Sequence, residues 1–148
     1  MYEDHVETAE EQLKRADHLV YVSLKYTRTC DVMKNAIGRM IAAYEFSMLN
    51  FLEHKRMEKK ISEVPSSIKE RTVMAASILG SSAKKFIALY RLLKEIYKAE
   101  YTAHEEFRKN VTLRVKLKKI TDIKVDDLYK YLETTKEFVA FMKQINNQ

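Results

Sequence analysis

The sequence predicts an all-α protein, an antiparallel helical bundle of four main helices plus one short helix. Three observations predict it. Only two glycines and one proline interrupt 148 residues, and these are the residues that most often break helices and build turns between strands. Ala, Leu, Lys, Glu, Met and Arg, all good helix formers, are abundant. Apolar residues also recur at steps of three and four over most of the chain, the spacing of helices with one face in a core. With 46% hydrophobic and 32% charged residues, the composition is that of a globular chain. The length suits one domain spanning 1–148.

The first helix is expected from about Tyr2 to Tyr26, with Val6, Ala9, Leu13, Ala16, Val20 and Leu24 as its stripe. The run TRTCD then interrupts; its threonines and Asp31 suit a turn and a helix N-terminus. A second helix follows from about Asp31 to Ile61. Met33, Ile37, Met40, Tyr44, Met48 and Phe51 form its stripe, widened by Ala36, Ala43 and Leu52, so it should meet more than one neighbour. Pro65 ends it. Ser67 and Glu70 make an S-x-x-E capping box for a short third helix, which Gly80 stops after Leu79. The fourth helix is expected from Ser82 to about Lys116, with Phe86, Tyr90, Leu93, Tyr97, Tyr101, Phe107, Val111 and Val115 on one face. Asp122 then caps a fifth helix whose stripe is Leu128, Leu132, Thr135, Phe138, Met142 and Ile145.

The function classes narrow by what is missing. No Glu-x-x-His pair is present, since Tyr2, Arg15, Phe51 and Tyr101 stand three residues before the four histidines. Di-iron bundles need such pairs on facing helices. There is no glycine-rich phosphate loop or dinucleotide fingerprint, and the single Cys30 has no cysteine neighbour to build a metal knuckle. The expectation is therefore no cofactor and no metal site. A lone cysteine excludes an internal disulfide and favours a cytoplasmic location. No apolar run reaches the ~18 residues of a membrane span, and the acidic start MYEDHVETAEEQLKR does not read as a signal peptide.

Two features remain. On a helical fourth segment, Glu100, His104 and Arg108 fall at i, i+4 and i+8 on the apolar face, an acid, an imidazole and a guanidinium in a row. They either satisfy one another or line a cleft for a phosphate or acidic group. Arg108, Lys109, Arg114, Lys116, Lys118 and Lys119 then crowd twelve residues, in a chain of net charge +6 and pI about 9.3. Such an excess permits attraction to nucleic acid or an acidic protein partner without demanding it.

A helical hairpin, a long helix ending at the junction EEFRKN, and a last helix reading VDDLYKYLETTKEFVAFMKQI together give a layout that resembles the HEPN family. HEPN domains are helical bundles of prokaryotic toxin, defence and RNA-processing proteins. The resemblance implies a helical bundle, a homodimer and affinity for RNA. Arg108, with Lys109 or Asn110 beside it, matches the arginine of the family's Arg…His motif. No histidine follows it, and His104 precedes it. Metal-independent cleavage needs an acid–base group at that place, so the resemblance implies a noncatalytic member binding RNA or a protein partner. Glu100, His104, Arg108, Lys109, Asn110, Arg114, Lys116, Lys118 and Lys119 are the candidate RNA- or anion-binding residues. Two alternatives stand beside this reading. One is a ribonuclease with His104 as acid–base and Arg108 stabilising the phosphorane. The other is a structural module that docks on another protein through exposed apolar residues such as Val22, Met57 or Ile87.

Overall fold

The computed structural model of the protein describes residues 8–147. Helix makes up 71% of it, and a three-stranded antiparallel sheet interrupts the helices. The chain runs α1 (Ala9–His18), a π-helical turn (Leu19–Ser23), α2 (Leu24–Tyr26), α3 (Cys30–Met57) and α4 (Ile68–Leu79). A 3-10 turn (Gly80–Ala83), α5 (Lys84–Lys98), β1 (Tyr101–His104), β2 (Thr112–Lys116), β3 (Ile120–Lys124) and α6 (Val125–Asn146) complete it.

Local chemistry sets most helix ends. Thr8 and Glu11 close a capping box at α1, so the helix begins at Ala9; the part expected from Tyr2 lies outside the described residues. Thr29 Oγ1 accepts from the Val32 amide at 3.3 Å and caps α3. Ser67 Oγ accepts from the Glu70 amide at 3.1 Å at the head of α4, as the S-x-x-E pattern requires. Gly80, at φ 70°, ends α4, a conformation that a side chain would strain.

The core is built around α3, whose expected stripe is entirely buried: Met33, Ile37, Met40, Tyr44, Met48 and Phe51, with Ala36, Ala43 and Leu52. Its breadth is used by α1, α4, α5 and α6, all of which pack on it. Tyr44 stacks on Phe138 of α6 at 4.7 Å between centroids. Burial pushes the pKa of its hydroxyl up to about 12, against the opposing pull of the Thr135 side chain. No helix among the described residues is long and apolar enough to cross a membrane.

The all-α expectation fails between residues 99 and 124. The expected fourth helix stops at Lys98 instead of running to Lys116, and Ala99 is extended, at ψ 153°. The sequence VTLRVKLKKITDIK alternates apolar and polar residues at period two and is rich in β-branched side chains, which favour a pleated, half-buried surface. Strand order is β1-β2-β3. Leu113 stands opposite Ala103 and Ile123, and Val115 opposite Tyr101 and Thr121. Val111, Leu113, Val115 and Ile123 are buried and join the main core. Burial of that apolar row outweighs the helical propensity of the flanking residues, whose contribution per residue is small. Asp122 consequently does not cap the last helix. It lies in β3, and the Asp127 carboxylate instead accepts the Lys124 amide at 2.8 Å at the start of α6.

Candidate nucleic-acid interface

The sheet redistributes the candidate residues. Glu100, His104 and Arg108 share no helix face, because the segment that carries them is not a helix. Glu100 precedes β1, and its carbonyl accepts the Lys116 amide at 2.9 Å. His104 ends β1. Its Nε2 shares a 2.8 Å hydrogen bond with Thr102 Oγ1, two residues back on the same face. Arg108 lies in the β1–β2 loop with its side chain 76% exposed, 3.7 Å from Glu105. Arg108 thus pairs at the surface with Glu105, and not with Glu100 or His104 along a helix face.

The sheet has two faces of different character. The inner one carries Leu113, Val115 and Ile123 onto the core. The outer one carries two cross-strand rows, Thr102–Arg114–Asp122 and His104–Thr112–Lys124. Arg114 binds Asp122 as a fork, Nε to Oδ1 at 2.7 Å and Nη2 to Oδ2 at 3.1 Å. The arginine's hydrogen bond and charge hold the Asp122 carboxyl below its ordinary range. The same pairing raises the pKa of Arg114. Such parallel N–H···O bonds also form between arginine and phosphate.

Lysines cluster at the far end of the sheet. Lys116 and Ile120 close the β2–β3 hairpin, and Lys118 and Lys119 lie exposed in its loop. Among the described residues, none of Lys109, Lys116, Lys118, Lys119 or Lys124 reaches a carboxylate within 4.0 Å. Residues 101–124 hold seven Lys or Arg against three Asp or Glu, which is four of the chain's six net positive charges.

At the opposite end, the β1–β2 loop is fixed to the head of α3. Glu106 Oε2 accepts the Cys30 amide at 2.8 Å, satisfying one of the orphan donors of that helix's first turn. The Phe107 amide donates to the Arg28 carbonyl at 2.6 Å. Below the loop, the Cys30 thiol donates to the Thr112 carbonyl at 3.3 Å, and burial raises its pKa first of all causes. Glu105 and Phe107 both take positive φ, 55° and 67°, a region that costs a non-glycine residue of order 1–3 kcal/mol. The outcome is a phenyl ring 76% exposed at the loop tip.

The structure therefore brings His104 and Arg114 to one face and leaves Arg108, Lys109 and Asn110 at one end of the sheet and Lys116, Lys118 and Lys119 at the other. Sequence reasoning missed Thr102, Asp122, Lys124 and the displayed Phe107 as site residues. The alternation from Val111 to Lys118 was the signal for β2, the strand against which the first three are registered. Among the described residues, no group of three or more His, Cys, Asp or Glu is placed to hold a metal ion.

Fold and surface together define a mostly helical domain bearing a basic three-stranded sheet. Compared with known proteins, the chain matches no family model, no curated protein and no solved structure.

Proposed function

We propose that the protein binds single-stranded RNA without cutting it, on the outer face of the sheet and the two loops that flank it. The observation that carries this reading is the concentration of four net positive charges on residues 101–124, with five lysines outside any ion pair among the described residues and an exposed phenyl ring on the β1–β2 loop. Cations along a groove and an aromatic platform for bases are the two parts that sequence-tolerant single-strand binding needs. The β2 strand, four steps of ~3.3 Å, spaces the two loops far enough apart for more than one nucleotide to lie between them. The noncatalytic part of the reading is supported by the engagements of the two candidate groups, His104 with Thr102 and Arg108 with Glu105. The HEPN resemblance agrees with RNA affinity, but the reading stands on the sheet.

The test is anisotropy of a labelled RNA of about ten nucleotides over a salt series. Log affinity should fall with log salt at a slope near −0.7 per phosphate contact. Lys116, Lys118 and Lys119 changed together to Glu should weaken all sequences alike and leave the melting temperature in place. Absence of binding at about 50 mM salt, where phosphate contacts are much stronger than at physiological salt, would overturn the proposal in favour of a protein partner. RNA degradation in EDTA that stops with His104→Ala would overturn its noncatalytic part.

A further inference from the structure

The sheet has one edge that the fold leaves open. The Lys116 amide donates to the Glu100 carbonyl at 2.9 Å, so these two residues form a hydrogen-bonded pair. In an antiparallel ladder such pairs alternate with pairs that exchange no hydrogen bond. Thr102 stands opposite Arg114 and His104 opposite Thr112, and these two pairs continue the bonded series. The N–H and C=O groups of Tyr101 and Ala103 therefore point away from β2. Among the described residues none of these groups has a hydrogen-bond partner, and Tyr101, Thr102 and Ala103 are all exposed.

The opposite edge is guarded. β2 uses the backbone groups of Thr112, Arg114 and Lys116 on β1, so it bonds β3 through Leu113 and Val115. The amides of Asp122 and Lys124 are thereby turned outward from β3. The Asp127 carboxylate takes the Lys124 amide at 2.8 Å, and Asp122 and Lys124 set charges along the edge. Charges on an edge deter the addition of another strand. β1, reading YTAH, has no carboxylate, lysine, proline or glycine. An extended backbone laid beside it would meet two amides and two carbonyls, those of Tyr101 and Ala103, at the spacing of its own groups.

Charge chooses among extended segments. Lys34 of α3 reaches over the strand: its Nζ lies 4.7 Å from the centre of the Tyr101 ring and 5.2 Å from that of Tyr97. Among the described residues no carboxylate pairs with it. Of the carboxylates that flank β1, Glu105 is 3.7 Å from Arg108 and Glu100 stands opposite Lys116 in the ladder. Residues 101–124 carry four net positive charges. We infer that the free edge of β1 binds an extended acidic segment of a partner protein by strand addition, with carboxylates on the side that meets Lys34. Backbone pairing supplies the affinity, and the alternate side chains supply the choice of partner. The added strand widens the sheet and leaves its outer face open, so the inference stands independently of RNA binding.

The probe is an end-blocked hexapeptide of alternating Glu and Val, and the readout is amide hydrogen exchange of the isotope-labelled full chain. With peptide at about ten times its Kd, the Tyr101 and Ala103 amides should exchange about tenfold more slowly than in the free protein. The same peptide with Lys in place of Glu should bind about tenfold weaker or more. Ala103→Pro removes an outward N–H and no ladder bond, a change that an edge strand tolerates. It should lower peptide affinity by about tenfold or more. Ala103→Glu keeps the backbone and repels the probe, and should act in the same direction. Lys34→Gln should lower affinity by about two- to fivefold. Absence of binding at about 1 mM peptide, unchanged exchange of both amides in the bound protein, or parental affinity in both Ala103 variants overturns the inference. Equal binding of the Lys peptide overturns it too. So does protection of the two amides that rises with protein concentration alone, which would give the edge to a second copy. No RNA enters the measurement, so its failure would leave the RNA reading as it stands.

Discussion

Asp122 is the residue on which the sheet surface turns. Its carboxylate occupies the Arg114 fork, where a phosphate would otherwise sit. Asp122→Asn should therefore raise RNA affinity about two- to fivefold, the worth of one exposed ion pair, with the salt slope steeper by part of one contact. Unchanged or lower affinity would show that Arg114 does not meet RNA. The pH dependence has a definite sign. Arg114 holds the folded-state pKa of Asp122 below its ordinary value. The pair's contribution to stability is therefore complete above the usual carboxylate range and is lost as pH falls through the depressed folded value. In that acidic window Arg114 is released, and the advantage of Asp122→Asn over the parent in RNA affinity should vanish. None of this was legible while Asp122 read as a helix cap. A carboxylate before a helix and a carboxylate across a ladder look alike in one dimension, and only the register of β2 with β3 separates them.

Among the elements, the helices were legible because each signals itself locally. Ser67-x-x-Glu70, Gly80 and the α3 stripe all act within a few residues, and the capping box of Thr8 and Glu11 was equally local, though it was passed over for an earlier start. The sheet is non-local: β1 becomes a strand only through β2, and β2 through the core beneath it. The residues between Tyr97 and Val115 happen also to fit a helical face, so the period-two run was absorbed into a longer helix. The β1–β2 loop shows a division of labour that neither pattern predicts. Glu106 holds the loop to α3, while Phe107 is held out in solvent at positive φ. Glu106→Ala should cost about 0.5–2 kcal/mol, as loss of a helix cap does, read as a lower melting temperature. Phe107→Gly should move the two readouts in opposite directions. It relieves a left-handed residue and should raise stability by up to about 1 kcal/mol, and it removes a stacking platform, lowering RNA affinity by about 1–3 kcal/mol. A Phe107→Gly protein that melts lower and binds RNA unchanged would make the ring a packing residue.

On the scale of the whole molecule, two apolar faces are covered within the chain itself. The breadth of the α3 stripe is met by α1, α4, α5 and α6 of the same chain. The long apolar face expected on the fourth helix does not exist past Lys98, and its later members Val111 and Val115 are buried under the sheet. Ile87, a candidate for an exposed docking residue, is 4% exposed. Net charge adds to this: +6 over a 17.5 kDa chain, most of it on one sheet, makes two copies repel at low salt. The free protein is therefore predicted to scatter light as a monomer of 17.5 kDa at low and moderate salt. With a short RNA at saturation, one protein should bind one strand. A mass near twice that value without RNA would reinstate the dimer. The surface to examine would then be α4, where Ile68, Val73 and Ile78 are 41%, 56% and 42% exposed. Val73→Glu would be the variant to return such a dimer to one copy, because a charge in a closed apolar interface is costly while the same charge on a free helix face is not.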